Sequence, residues 1–213
     1  MESFLAIFRQ VLFYGTFVCI GVGILILLYL FAKLVTTKDY KGKYDFINQN
    51  EKKLLWYGSI AFISAGACYV TSILATEWMF VFVGLFVSIM FGLIIGVVLF
   101  NYLEYYYPTF IEERLHKLRY KPRFSKAGNE MKLLSEEEED VYLDEGQQAE
   151  ENIFSVDYDV WVDEASDETV IEKYKGHLHA EKSPTCGYYT LRVVRGELIE
   201  SPTEEKEGIL IKH

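Results

Sequence analysis

The sequence predicts an α-helical membrane domain of three transmembrane helices, followed by a small α+β, β-rich cytoplasmic domain. Three observations lead there. Of 213 residues 51% are hydrophobic, yet the net charge is −10, and the two properties are separated along the chain, apolar first and acidic second. The apolar half contains three long stretches with almost no charge. The acidic half contains short runs in which apolar and polar residues alternate with a period of two.

The first stretch, Val11 to Ala32, carries no charged residue and at about 22 positions is long enough for a hydrocarbon core of roughly 30 Å. It is too long for a signal-peptide core, and Lys33 stands where a small-x-small cleavage site would follow, so it reads as a retained helix. The second stretch runs from Leu54 to Thr76 and the third from Trp78 to Tyr102. Only Ala75 to Trp78 separates them, which predicts a tight antiparallel hairpin. Lys33, Lys38, Lys41, Lys43, Lys52 and Lys53 follow the first span, and Arg114, Lys117, Arg119, Lys121, Arg123, Lys126 and Lys132 follow the third. The positive-inside rule makes both segments cytoplasmic, with the N-terminus outside. Trp56, Tyr57, Trp78 and the tyrosines from Tyr102 to Tyr107 stand where an interfacial aromatic belt belongs.

Gly84, Ser88, Gly92 and Gly96 recur every fourth residue and line one face of the third helix with small side chains. Two readings stay open: a docking face for another subunit, or packing against the second helix, which offers Gly58, Ser59, Ala61, Ala65 and Gly66. No ionisable residue lies in the central part of any span, which argues against a transporter or channel. Cys19 and Cys68 fall inside spans and read as small packing residues; with Cys186 they form no spaced pair.

The remainder divides into a basic juxtamembrane segment (109–132), an acidic domain (133–200) and a charged tail (201–213). Thr109 to Tyr120 suits an amphipathic helix on the anionic inner leaflet, or a simple continuation of the third span. From Leu133 to Glu172 there is no Lys or Arg. Met131, Leu133, Leu134, Val141, Tyr142 and Leu143 interrupt the acid run and predict that it is structured. In Ser155 to Val162, Val156, Tyr158, Val160 and Val162 alternate with Asp157, Asp159 and Trp161, as in a half-buried strand. Thr169 to Tyr174 and Tyr188 to Arg195 complete an expected three-stranded antiparallel unit, and Ile209 to Ile211 offers an edge strand or a contact.

These residues resemble the C-terminal cytoplasmic region of TPM-domain bacterial membrane proteins. The matches are Pro122-Arg123, Gly128, Met131, Leu134 to Glu137, Asp140, Tyr142-Leu143, Gly146-Gln147, Glu150-Glu151, Ser155 through Trp161, Tyr174, Cys186-Gly187 and Thr190-Leu191. The resemblance implies a zinc ribbon, but a degenerate one. Its cysteine pairs would fall on Phe124 and Ala127, Asp163 and Ser166, and Ser183 and Cys186, of which only Cys186 is a cysteine. His177, His179 and Cys186, with Asp163 as a fourth, are weak metal candidates. Structural zinc contributes on the order of 10–16 kcal/mol to such a unit. Its replacement is either an aromatic core (Phe124, Phe154, Tyr158, Trp161, Tyr174, Tyr188, Tyr189) or burial against a partner. The TPM domain itself, on which any phosphatase activity of the family would rest, is absent.

No Gly-rich phosphate loop, nucleophile elbow or His-Glu-x-x-His motif is present, and no catalytic residue, cofactor or small-molecule substrate is expected. The reading is a non-catalytic accessory or scaffold subunit of a larger inner-membrane complex. Its partners are other integral membrane proteins and membrane lipid, and its acidity argues against nucleic acid. Trp161, Tyr188 and Tyr189 are the docking candidates on the acidic domain. The alternative is a metal- or redox-responsive membrane regulator with a residual site in that domain.

Overall fold

The computed structural model describes residues 2–176, 181–190, 196–200 and 209–212. The chain forms two compact units, Met1–Lys121 and Pro122–His213. The boundary divides the basic juxtamembrane segment: its helical part belongs to the first unit, and Pro122 onward to the second.

Three helices of the first unit are long and apolar enough to cross a membrane. Helix α1 spans Glu2–Thr36. Helix α2, Tyr40–Phe46, starts at Asp39, whose carboxylate accepts from the amides of Lys41 and Gly42 at 3.2 and 2.7 Å. It runs through a π turn, Ile47–Glu51, into α3, Lys52–Leu74. After the expected tight turn, α4 spans Trp78–Asn101 and passes through a second π turn, Tyr102–Tyr106, into α5, Tyr107–Arg119. The third long apolar helix therefore continues without a break into the basic helix. Pro108 lacks an amide and crowds the preceding turn, and the wider π turn lies directly before it.

Helix α3 is the centre of a row, with α1 and α4 each packed along it. A Cβ at Gly23 of α1 would lie 2.9 Å from the Phe62 ring, and one at Gly84 of α4 would lie 3.3 Å from Thr71 Cα. At one end of the row Phe4 and Phe8 reach the Trp78 ring at 5.8 and 6.2 Å. At the other end the polar groups are tied together. Buried Glu51 accepts from Tyr107 at 2.6 Å and Arg114 at 3.1 Å, and Lys52 pairs with Glu104 at 2.6 Å.

The second unit is built on β2, Val156–Asp163, and β3, Glu168–Lys175, an antiparallel pair with Val160 opposite Ile171. Most of the 188–195 segment, which the sequence offers as a third strand, lies outside the described residues, and among the described residues the third strand is another segment. It is β1, Lys132–Leu133, on the other edge of β2, with Leu133 opposite Trp161. Residues 188–190 form no strand, and 191–195 lie outside the described residues. Strands β4, Gly196–Glu200, and β5, Ile209–Lys212, pair antiparallel in a separate two-stranded sheet.

The acid run is structured. It forms α6, Glu136–Glu139, and α7, Glu145–Asn152. Asp144 and Gln147 cap α7 reciprocally, amide to side chain, at 2.8 and 2.9 Å. Val156, Tyr158, Val160 and Val162 make the core with Leu143 and Leu134. Strand β2 is not half-buried, because its other face is covered too: Asp159, Trp161 and Asp163 are all buried.

Candidate functional site

Of the small-residue face on α4, three of the four positions meet α3. Gly84 sits against Thr71, Gly92 against Ile63 (3.3 Å from a Cβ to its Cγ2), and the Ser88 hydroxyl lies 3.3 Å from both the Thr71 hydroxyl and the Ala67 carbonyl. Here the small side chains serve close backbone approach inside the hairpin. A Cβ at Gly96 would meet nothing within 4 Å, and the same holds for Gly66 of α3. Beside this seam lies a cavity of 650 Å³, lined among others by Ser59, Gly66, Ala67, Ser88 and Gly92.

In the second unit, two of the turns where the resemblance would place zinc ligands are joined by a carboxylate. The turn after Phe124 closes with Ser125 N–H donating to Asn129 O at 2.9 Å. The β2–β3 turn closes with Asp167 N–H donating to Asp163 O at 2.9 Å. Asp163 then accepts from Ser166 Oγ at 2.5 Å, Ala165 N–H at 2.9 Å and Asn129 Nδ2 at 3.2 Å. These donors, the Ser166 and Ser125 hydroxyls foremost, hold the Asp163 carboxyl well below the usual carboxylate range. The set does not fit zinc: Phe124, Ala127 and Ser166 stand in the thiolate places, and the Asp163 oxygens are already engaged.

Of the weak metal candidates, Cys186 does not converge on Asp163 either. Cys186 is exposed, in a turn where Ser183 N–H donates to Tyr188 O at 2.8 Å. The next residue, Tyr189, is bound at the start of β2, where Ser155 Oγ donates to its carbonyl at 2.7 Å. Asp163 ends β2, roughly 24 Å along an extended strand of that length. His177 and His179 lie outside the described residues. Among the described residues no group of three or more His, Cys, Asp or Glu could hold a metal ion.

No family model matches the chain, and no curated protein or solved structure was found to be similar to it.

The docking candidates work largely inside the fold. Trp161 is 3% exposed, and its ring lies 5.1 Å beneath the Arg123 guanidinium, so it is not presented to a partner. Tyr188 donates to Asp144 at 3.0 Å and packs on α7, where a Cβ at Gly146 would fall 2.2 Å from its ring. Tyr189 N–H donates to Glu150 at 2.5 Å, while its ring remains partly exposed beside Lys173. Besides Tyr189, the exposed apolar side chains include Val141 and Tyr142 between the acidic helices, Phe154, Phe124, and Val170 and Ile171 on β3. The aromatic core is therefore partial, made by Tyr158, Trp161 and Tyr174 but not by Phe124 or Phe154.

Three buried charged centres were not legible in the sequence. Asp159 and Glu172 face each other across the β2–β3 ladder, an arrangement unfavourable by itself. Arg123 lies on that face and grips Glu172 with Nε at 2.9 Å and Nη2 at 2.8 Å, while Tyr174 donates to the same carboxylate at 2.6 Å. Glu150, fully buried, accepts from Tyr158 at 2.5 Å and Lys173 at 2.7 Å. Glu139 and Glu151 cap the edge of β2 beyond the end of β1, taking Val160 N–H at 3.3 Å and Tyr158 N–H at 3.0 Å. Burial first, then the neighbouring Glu151 charge, pushes Glu139 up to about 7; burial also raises Glu151. Acidic residues of this half are thus partly interior, each with a backbone or side-chain donor.

Proposed function

We propose that this chain is a non-catalytic accessory or scaffold subunit of a larger membrane protein complex. In this reading it sits in a bacterial inner membrane with its N-terminus outside and its acidic domain in the cytoplasm. The orientation rests on the lysines and arginines that follow the first and third spans. The acidic domain is read as a relative of the TPM-associated zinc ribbon in which the Asp163 hydrogen bonds take the place of metal.

One observation carries the reading: the 650 Å³ groove beside the α3–α4 seam, where Gly66 and its small neighbours leave open space. In lipid, small residues favour helix association because backbones approach closely and pack over a large area. A helix of another subunit is the occupant this groove suits. The buried carboxylates of the acidic domain are already bound to donors, which leaves its exposed side chains, Val141 and Tyr142 among acidic helices, for a basic and apolar partner.

The test is purification of the tagged full-length protein from native membranes in mild detergent, with mass spectrometry of what co-elutes. A stoichiometric membrane partner is expected, and Gly66→Leu should abolish its co-elution while leaving the level of the protein in membranes unchanged. A protein that elutes alone, or a partner indifferent to Gly66→Leu, would sink the reading.

A further inference from the structure

The other flank of the α3–α4 seam has a different character. At its Lys52 end is a cavity of 300 Å³ lined by Asn48, Gln49, Lys52 and Lys53, with Trp56, Phe100 and Leu103 completing the wall. A second cavity of 390 Å³ continues along the two helices past Ile60, Ser64, Gly92 and Gly96. Trp56 and Phe100 line both cavities and stack edge to face, with centroids 5.5 Å apart. The two are one groove, polar and cationic at one end and apolar along its length.

The polar end is assembled by the two π turns. Asn48 and Gln49 come from Ile47–Glu51, and Leu103 from Tyr102–Tyr106. Such turns are rare and recur at functional sites, because the extra residue re-aims the side chains around it. The local charge is positive. Glu51 is buried and engaged by Arg114 and Tyr107, and Glu104 is paired with Lys52. Lys53 is exposed and has no ion pair among the described residues. Gly96 leaves the apolar end open.

A cationic, amide-lined mouth that opens onto an apolar groove at the end of a membrane span matches an amphiphile with an anionic head. A free phosphate would leave the apolar length empty, and a zwitterionic lipid would gain little from Lys53. We infer that this groove binds an anionic phospholipid, with its phosphate at Lys52, Lys53, Asn48 and Gln49 and an acyl chain along Gly92 and Gly96. The inference rests on the reading that these helices cross a membrane, but on no partner protein.

The test reconstitutes the full-length protein in nanodiscs of mixed phosphatidylcholine and phosphatidylglycerol. Native mass spectrometry after release into mild detergent then reads the retained lipid. Phosphatidylglycerol should be retained over phosphatidylcholine and should resist excess inorganic phosphate. Lys53→Gln should lower its retention about fivefold, the usual weight of one interfacial lysine. Gly96→Leu should lower it with the charge intact, and Lys117→Gln, on exposed α5, should leave it unchanged. Equal retention of the two lipids would overturn the inference. So would displacement by phosphate, indifference to both Lys53→Gln and Gly96→Leu, or an equal loss in Lys117→Gln. Failure to enter the nanodisc would overturn the membrane reading with it; a protein that inserts and then fails to discriminate sinks the lipid site alone.

Discussion

Glu139→Gln should stabilise the acidic unit at neutral pH and leave it unchanged in mild acid. Glu139 is 3% exposed, takes one backbone donor at 3.3 Å, and stands beside Glu151. Its carboxyl rises from 4.5 to about 7 on folding, and at about 1.4 kcal/mol per pH unit the charged form is disfavoured by about 3 kcal/mol. The sign follows from linkage. Below the unfolded value of 4.5 the group is protonated in both states and contributes nothing; above about 7 the whole unfavourable term is present. Stability is therefore lost as pH rises through this window. Asp163 and Glu150 are held below their ordinary values, so their contributions disappear only in stronger acid.

A glutamine keeps the acceptor for Val160 N–H and removes the charge. The assay is urea unfolding of Pro122–His213, which carries its own core and, in Trp161, its only tryptophan. With slopes of about 1–3 kcal/mol per molar urea, E139Q should raise the midpoint by about 1–3 M at pH 8 and by nearly nothing at about pH 4. Comparing variant with parent at each pH removes the contribution of every other titrating group. A lower midpoint at pH 8, or equal shifts at both pH values, would refute the argument.

Arg123→Met should destabilise the same unit by about 3–5 kcal/mol, because it leaves Glu172 buried without its cation. Arg123→Met/Glu172→Met should recover most of that loss, measured by the same urea midpoints. Gly146→Ala should unseat Tyr188, whose ring a Cβ would overlap; faster amide exchange in 183–190 with β2 still protected is the expected pattern. Cys186 is exposed, and the Ser183 hydroxyl lowers its thiol pKa. An impermeant maleimide should label Cys186 only after membranes are opened; labelling of intact cells would reverse the proposed orientation.

The three long apolar helices were legible because a helix able to cross lipid must satisfy its own backbone, so length and apolarity suffice to find it. Val11 to Ala32, Leu54 to Thr76 and Trp78 to Tyr102 needed no partner to be recognised. The alternation in β2 was equally local. What the sequence left open were questions of which side chain faces which. Gly84, Ser88 and Gly92 carry the same spacing whether they meet a subunit or α3, and only the seam assigned them to α3. Lys132–Leu133 is too short to read as a strand, and it becomes one because the β2 edge offers it a ladder. Trp161 and Asp159 look solvent-facing by alternation, yet Arg123, 38 and 36 positions away in sequence, covers that face and buries both. Local backbone preference and hydropathy wrote the elements into the sequence, whereas burial depends on neighbours brought together only by folding, and the tertiary structure alone decided it.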